Sequence, residues 1–266
     1  PMIHPGVYEA VIEGSKFGLD MAVSTNGLLL KPEKLPLFLK SLTWIRFNLS
    51  AASPQAFETV MGSDARNFSK VTDNIKKCVQ IKTEENLDVT IGMQMVLIPE
   101  NKSQLVEYAR LGKSLGVDYV VVKQCSQSDG VQQDSLVDDY ESLEPDMKEA
   151  ESYATPTYQV IIKRKKMKAE KKGYDQCLGC QFLPQISGAG DLFPCGNLFG
   201  NKKYLIGNIH EQRFKDLVES RQYKQIMEKV RTQVNVHKEC GSKCRQNEIN
   251  EFLWQLKNPP EHINFI

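Results

Sequence analysis

Short apolar runs alternate with amphipathic segments over the first 125 residues, which predicts an α/β fold on a parallel sheet. Five of the seven cysteines fall in the last 90 residues, where turns and small residues replace that rhythm, which predicts a second, smaller unit of metal-binding character. Hydrophobic residues make up 41% and charged residues 25%, enough to build a core and too apolar for a disordered chain.

Residues 7–17 have helical spacing, with Val7, Ala10, Val11 and Phe17 on one side. Residues 19–24 form a short strand, stopped by Asn26-Gly27. A helix is expected over 33–40 and a strand over 43–49. The helix predicted for 66–82 spaces Phe68, Val71, Ile75 and Val79 at helical intervals. A long strand covers 88–98, a helix 101–115 ends at Gly116, and a strand covers 119–123. Near-continuous apolar strands separated by helices imply a parallel sheet buried on its covered face, closed as a barrel or doubly wound. Chemistry in either belongs at the carboxyl ends of the strands. Those ends are polar: Ser24-Thr25-Asn26, Asn48-Leu49-Ser50, Pro99-Glu100-Asn101 and Lys123-Gln124-Cys125.

Residues 134–151 are acidic, with eight Asp or Glu against one Lys, and contain a helix near 140–151. Residues 157–162 read as extended. Residues 163–172 carry seven basic residues against one acidic, a solvated linker or a local stripe for an anionic substrate. From Tyr174 on, a hairpin is expected over 186–198 around Gly188–Gly190, with helices over 214–231 and 246–256.

Net charge is +1, so nothing draws the whole chain to nucleic acid or to a membrane surface. No aromatic residues interleave the basic stretch as a single-strand groove requires. No apolar run reaches the roughly 20 residues of a membrane helix, and no signal peptide opens the sequence. A cytoplasmic protein is therefore expected. Nucleophile elbow, phosphate loop and HExxH patterns are absent.

The cysteines are Cys78, Cys125, Cys177, Cys180, Cys195, Cys240 and Cys244. An odd number without a secretory signal argues against a disulfide framework. Turns and a helix entry can bring the last five together, and soft thiolates choose zinc or an iron–sulfur cluster. Spacing alone leaves both metals open, and His237 could replace one thiolate. Cys78 lies near the apolar face of its helix and reads as core.

Several stretches resemble radical S-adenosylmethionine (SAM) enzymes with a C-terminal SPASM or Twitch iron–sulfur domain. Cys180, nine residues, Gly190, four residues and Cys195 match the opening pattern of that domain. Asp191–Asn197, Gly207-Asn208-Ile209 and Cys240-x3-Cys244-Arg245 are similar to its later segments. Ser24–Gly27 and Ile45–Ala52 look like the third and fourth strand ends of the family barrel. Pro1–Pro5 resembles the residues directly after Gly-Gly-Glu in its strand-end motif.

The resemblance implies a partial (βα)6 TIM-like barrel over 1–162, with about four strands present, a basic linker over 163–176 and a small α+β iron–sulfur domain over 177–266. It implies SAM as a cofactor, held by Ser24, Thr25, Asn26, Asn48, Ser50 and Gln94. An auxiliary 4Fe–4S cluster would be held by Cys180, Cys195, Cys240 and Cys244, with Cys177 as a spare or a replacement for Cys180. The activity implied is generation of a 5′-deoxyadenosyl radical for hydrogen abstraction from a peptide or small molecule, fed by a donor such as flavodoxin or ferredoxin. The family's CxxxCxxC loop is not in the sequence. That loop and Gly-Gly-Glu are expected upstream of Pro1, so that the full-length form is the enzyme and this stretch alone is inactive. The other reading is a zinc-stabilised, non-catalytic scaffold.

Overall fold

The computed structural model describes residues 1–125, 137, 139–167, 172–240 and 244–263. The start of the acidic run (134–136, 138) and part of the basic run (168–171) lie outside the described residues. The chain divides into two units at Met167.

In the first unit five parallel strands pair in sequence order: β1 (Ala22–Thr25), β2 (Trp44–Asn48), β3 (Thr90–Leu97), β4 (Tyr119–Gln124) and β5 (Gln159–Ile162). The count exceeds the expected four because the extended stretch before the basic run pairs with β4. Alternate residues bury against helices: Val23, Ile45, Phe47, Ile91, Met93 and Val120 belong to one core.

The helices that cover this face are α1 (Val7–Lys16), α2 (Leu35–Lys40), α3 (Pro54–Met61), α4 (Arg66–Glu84), α5 (Leu105–Leu115), α6 (Glu144–Glu151) and the single turn α7 (Arg164–Met167). Their buried stripes meet the sheet; α4 supplies Phe68, Val71, Ile75, Cys78 and Ile81. Arg164 ties α7 to α6 through ion pairs with Glu144 and Glu151.

In the first unit the helix and strand bounds also differ from the sequence reading. Phe17 is 82% exposed and Ala10 is exposed, because α1 buries Tyr8 beside the expected Val11 and ends at Lys16, with Gly18 turning the chain at φ 77°. Strand β1 starts at Ala22, leaving Leu19 exposed in the preceding turn. Helix α3 was not foreseen: Ser53 caps it by accepting from the Ala56 N–H at 3.3 Å, Pro54 pre-sets its first turn, and Gly62 ends it in the left-handed region.

The second unit has a three-stranded antiparallel sheet of β6 (Gln185–Ile186), β7 (Asp191–Phe193) and β8 (Gly207–Asn208), followed by α8 (Phe214–Glu219), α9 (Arg221–Gln233) and α10 (Asn247–Lys257). The single helix expected over 214–231 is split because Ser220 is extended and caps α9, its Oγ accepting from the Tyr223 N–H at 3.0 Å. The unit's core includes Leu192, Phe193, Tyr204, Leu217, Val230 and Val236. Among the described residues no helix is long and apolar enough to cross a membrane.

Candidate functional site

Parallel pairing places the carboxyl ends of β1 to β4 along one sheet edge, and the face opposite the helices carries the polar residues there. Ser24, Arg46, Asn48 and Gln94 share that face by strand parity. Ser24 Oγ donates to Asn48 Oδ1 at 3.3 Å, and Gln94 Nε2 donates to the same oxygen at 3.1 Å. Three of the six residues assigned to SAM therefore converge on one point.

The other three shape the edge. Thr25 is buried among the helices and its Oγ1 accepts from the Gly27 N–H; exposed Asn26 accepts from the Leu28 N–H. Ser50 Oγ accepts from the Val96 N–H at 3.0 Å. Behind it sits Asn101, 0% exposed, whose Nδ2 donates to the carbonyls of Ser50 (2.8 Å) and Val96 (2.9 Å) while its Oδ1 accepts from the Ile98 N–H (2.9 Å). One amide thus stitches the ends of β2 and β3 together.

Arg46 was not singled out from the sequence. Its guanidinium stacks 5.3 Å from the Trp44 ring centroid, reaches Ser24 Oγ at 3.4 Å and leaves Nε buried with no partner. Period-two parity with Asn48 was the available signal. Gln124, 3% exposed at the end of β4, likewise keeps Oε1 unpaired.

None of the five cysteines of the second unit forms a disulfide, nor does Cys78 or Cys125. Cys177 and Cys180 are buried, while Cys195, Cys240 and Cys244 are half-buried. The thiols are close enough for their charges to interact. The neighbouring Cys180 thiol and the Asn250 amide, which donates to its sulfur, hold Cys177 down against burial; Cys180, beside Cys177 and donating its S–H to the Cys177 carbonyl at 3.4 Å, is pushed up. Burial raises Cys195 and takes Cys240 up to about 12, and the Cys244 and Cys177 charges add to both.

The hairpin that delivers Cys195 explains the Gly190 of the sequence pattern. Gly190 has φ 84°, and a Cβ there would lie 2.6 Å from the His210 ring. Asn208 Nδ2 locks the turn by donating to Asp191 Oδ1 (2.9 Å) and the Ala189 carbonyl (3.0 Å). His237 pairs with Asp175 at 2.9 Å.

Among the described residues no three His, Cys, Asp or Glu side chains stand as a closed metal-binding group. The donor set still fits an iron–sulfur cluster: thiolates are its ligands, and amide groups of Gln246 and Asn250 face Cys177. These two buried polar residues were also missed, although a polar pair four apart on one helix was visible.

An iron–sulfur cluster-binding domain, SPASM, matches residues 177–246. The chain is 27% identical over 244 residues to the tungsten-containing aldehyde ferredoxin oxidoreductase cofactor-modifying protein of Pyrococcus furiosus, covering 84% of this chain and 65% of that protein. It is 25% identical over 266 residues to the AdoMet-dependent heme synthase of Methanosarcina barkeri, covering 91% of this chain and 71% of that one. Streptococcus suis SuiB shares the fold at TM-score 0.62 and 12% identity, over 86% of this chain and 55% of SuiB. SuiB has also been solved bound to S-adenosylmethionine and to its precursor peptide SuiA. This chain thus spans between about half and about seven tenths of these proteins' lengths.

Proposed function

Since the chain belongs to the radical SAM enzymes that carry a SPASM domain, we propose that its first unit holds SAM at the carboxyl edge of the sheet and its second unit holds one auxiliary 4Fe–4S cluster. The observation that carries the reading is the interacting set of thiols, among them Cys195 at the end of the hairpin whose Gly190 matches the domain's pattern. When bound, SAM and the iron–sulfur centres supply one-electron chemistry that ends in hydrogen abstraction from the substrate.

This chain's residues bind and orient. Ser24, Asn48 and Gln94 present a connected polar surface suited to the hydroxyl and amino groups of SAM. Asn101 and Ser50 hold the β2 and β3 ends in register beneath it. Cys180, Cys195, Cys240 and Cys244 ligate the cluster, with Cys177 beside or among them. We read the barrel as 1–162, the basic stretch 163–176 as a linker and 177–266 as the iron–sulfur domain, with the single turn α7 of the linker packed on the first unit. The substrate is a peptide or a small molecule; SuiB with its precursor peptide and a cofactor-modifying relative support that range. Electrons come from a flavodoxin- or ferredoxin-type donor. Seven cysteines with no disulfide among them suit a reducing compartment, and we read the protein as cytoplasmic.

Anaerobic reconstitution with iron and sulfide tests the reading against a zinc-stabilised scaffold. A chain that takes up the cluster, with its visible charge-transfer absorption bleached by dithionite, supports it. A chain that retains zinc and refuses iron contradicts it.

A further inference from the structure

The core of the second unit is apolar except at one wall. Gln246 and Asn250, 2% and 1% exposed, lie one turn apart at and just after the start of α10. Both are aimed at Cys177. The Gly179 N–H donates to Asn250 Oδ1 at 2.7 Å, which fixes that amide so that its Nδ2 faces Cys177 Sγ at 3.7 Å. The Cys177 thiol in turn donates to Gln246 Oε1 at 3.8 Å. Gly179 permits the approach: a Cβ there would lie 3.0 Å from Gln246 Oε1 and 3.3 Å from Asn250 Oδ1.

The Gln246 Nε2 donor is buried and has no partner. A donor left unpaired in an interior is costly, and native folds rarely keep one. The cost has a reason if this arrangement belongs to the protonated thiol only. An amide's oxygen and nitrogen ends have nearly the same shape, so half a turn about the last side-chain torsion exchanges them without repacking.

We propose that Gln246 and Asn250 are positioning residues that recognise Cys177 as a metal-bound thiolate, which makes Cys177, in place of Cys180, one of the four thiolate ligands of the auxiliary cluster rather than a spare thiol. The inference rests on the cluster reading above. As the sulfur–iron bond forms, the Cys177 proton leaves to solvent and no electron is transferred. Gln246 Oε1 then loses the S–H it accepted. Turning the amide gives Nε2–H a sulfur acceptor beside the Asn250 Nδ2–H. The exchange leaves an under-satisfied carbonyl in place of an orphan N–H, the better-tolerated defect. Two N–H···S bonds stabilise the negative charge of the cluster, and more so after reduction, so they raise its potential.

The test uses the whole chain, reconstituted anaerobically, as wild type, Gln246→Leu and Gln246→Glu. Iron per chain, midpoint potential and exchangeable-deuteron coupling to the reduced cluster after transfer to D2O are read for each. The wild type is expected to show strong deuteron coupling. Gln246→Leu should weaken that coupling, shift the midpoint negative and lower iron affinity about 10-fold. Gln246→Glu, equal in size but offering only acceptors beside a thiolate, should load less iron still. If the wild type takes up no cluster, the cluster reading falls and this inference with it. If the wild type loads but its cluster lacks the deuteron coupling, the inference alone is wrong, even should neither variant fold. Unchanged coupling and potential in Gln246→Leu would overturn it equally.

Discussion

Asn101→Ala should strongly destabilise the first unit. The Asn101 side chain is fully buried and makes three hydrogen bonds, two to the carbonyls of Ser50 and Val96 and one from the Ile98 N–H. Each bond contributes about 1 kcal/mol net, but truncation leaves three main-chain groups with no partner, at about 1–3 kcal/mol apiece before relaxation. Water entry and local collapse recover part of that, so the expected loss is about 4 kcal/mol. The chain has two tryptophans, Trp44 in β2 and Trp254 in α10. A Trp254→Phe background makes Trp44 a reporter of the first unit alone. In urea, a slope of about 2 kcal/mol per M turns the loss into a midpoint shift of about 2 M. SAM affinity measured below the transition should also fall, because Ser50 and the β2 end lose their tether. A midpoint within about 0.3 M of the parent would mean that Asn101 does not tie β2 to β3.

Other outcomes rest on the same geometry. Cys195→Ala should abolish cluster uptake by iron analysis, whereas Cys78→Ala, in the core of the first unit, should cost stability but keep full uptake; a complete cluster in Cys195→Ala would remove it from the ligand set. Gly92→Ala places a Cβ 2.1 Å from the Tyr119 ring and should cost about 1–3 kcal/mol as the ring is driven off β3, read by the same Trp44 melt; no change would mean that the ring is free to move. The Arg66 side chain holds the Asp64 carboxyl down to about 2, so the stabilisation from this exposed pair is complete above the unfolded value of about 4 and lost as pH falls through 2. An NMR titration of Asp64 with a midpoint near the unfolded value would contradict that pairing.

The parallel sheet was legible because a strand covered by helices must be apolar at alternate positions at least, and β2 to β4 are. Strand β5 read only as extended, since four residues carry too little periodicity to count as a sheet member. The break between α8 and α9 was hidden because its apolar residues keep helical spacing while one serine, Ser220, turns extended. The cysteine pattern named a site from spacing alone, but spacing is blind to what surrounds each sulfur. The Gln246 and Asn250 wall exists only once α10 packs against the turn at Gly179. Of the residues assigned to SAM, Ser24, Asn48 and the mid-strand Gln94 meet, whereas Thr25, Asn26 and Ser50 spend their polar atoms on turns and edges. Adjacent polar residues at a strand end point to opposite faces, and a motif match does not carry that parity. Arg46 was passed over for the same reason.

On this reading the thiols of the second unit hold an iron–sulfur cluster. Iron, sulfide and zinc counted on the anaerobically reconstituted chain, alongside the electron paramagnetic resonance spectrum of its reduced form, test that claim most directly. The account predicts about four iron and four sulfide per chain with a reduced-cluster signal, as four thiolates supply. About one zinc per chain, with no sulfide and no signal, would contradict it.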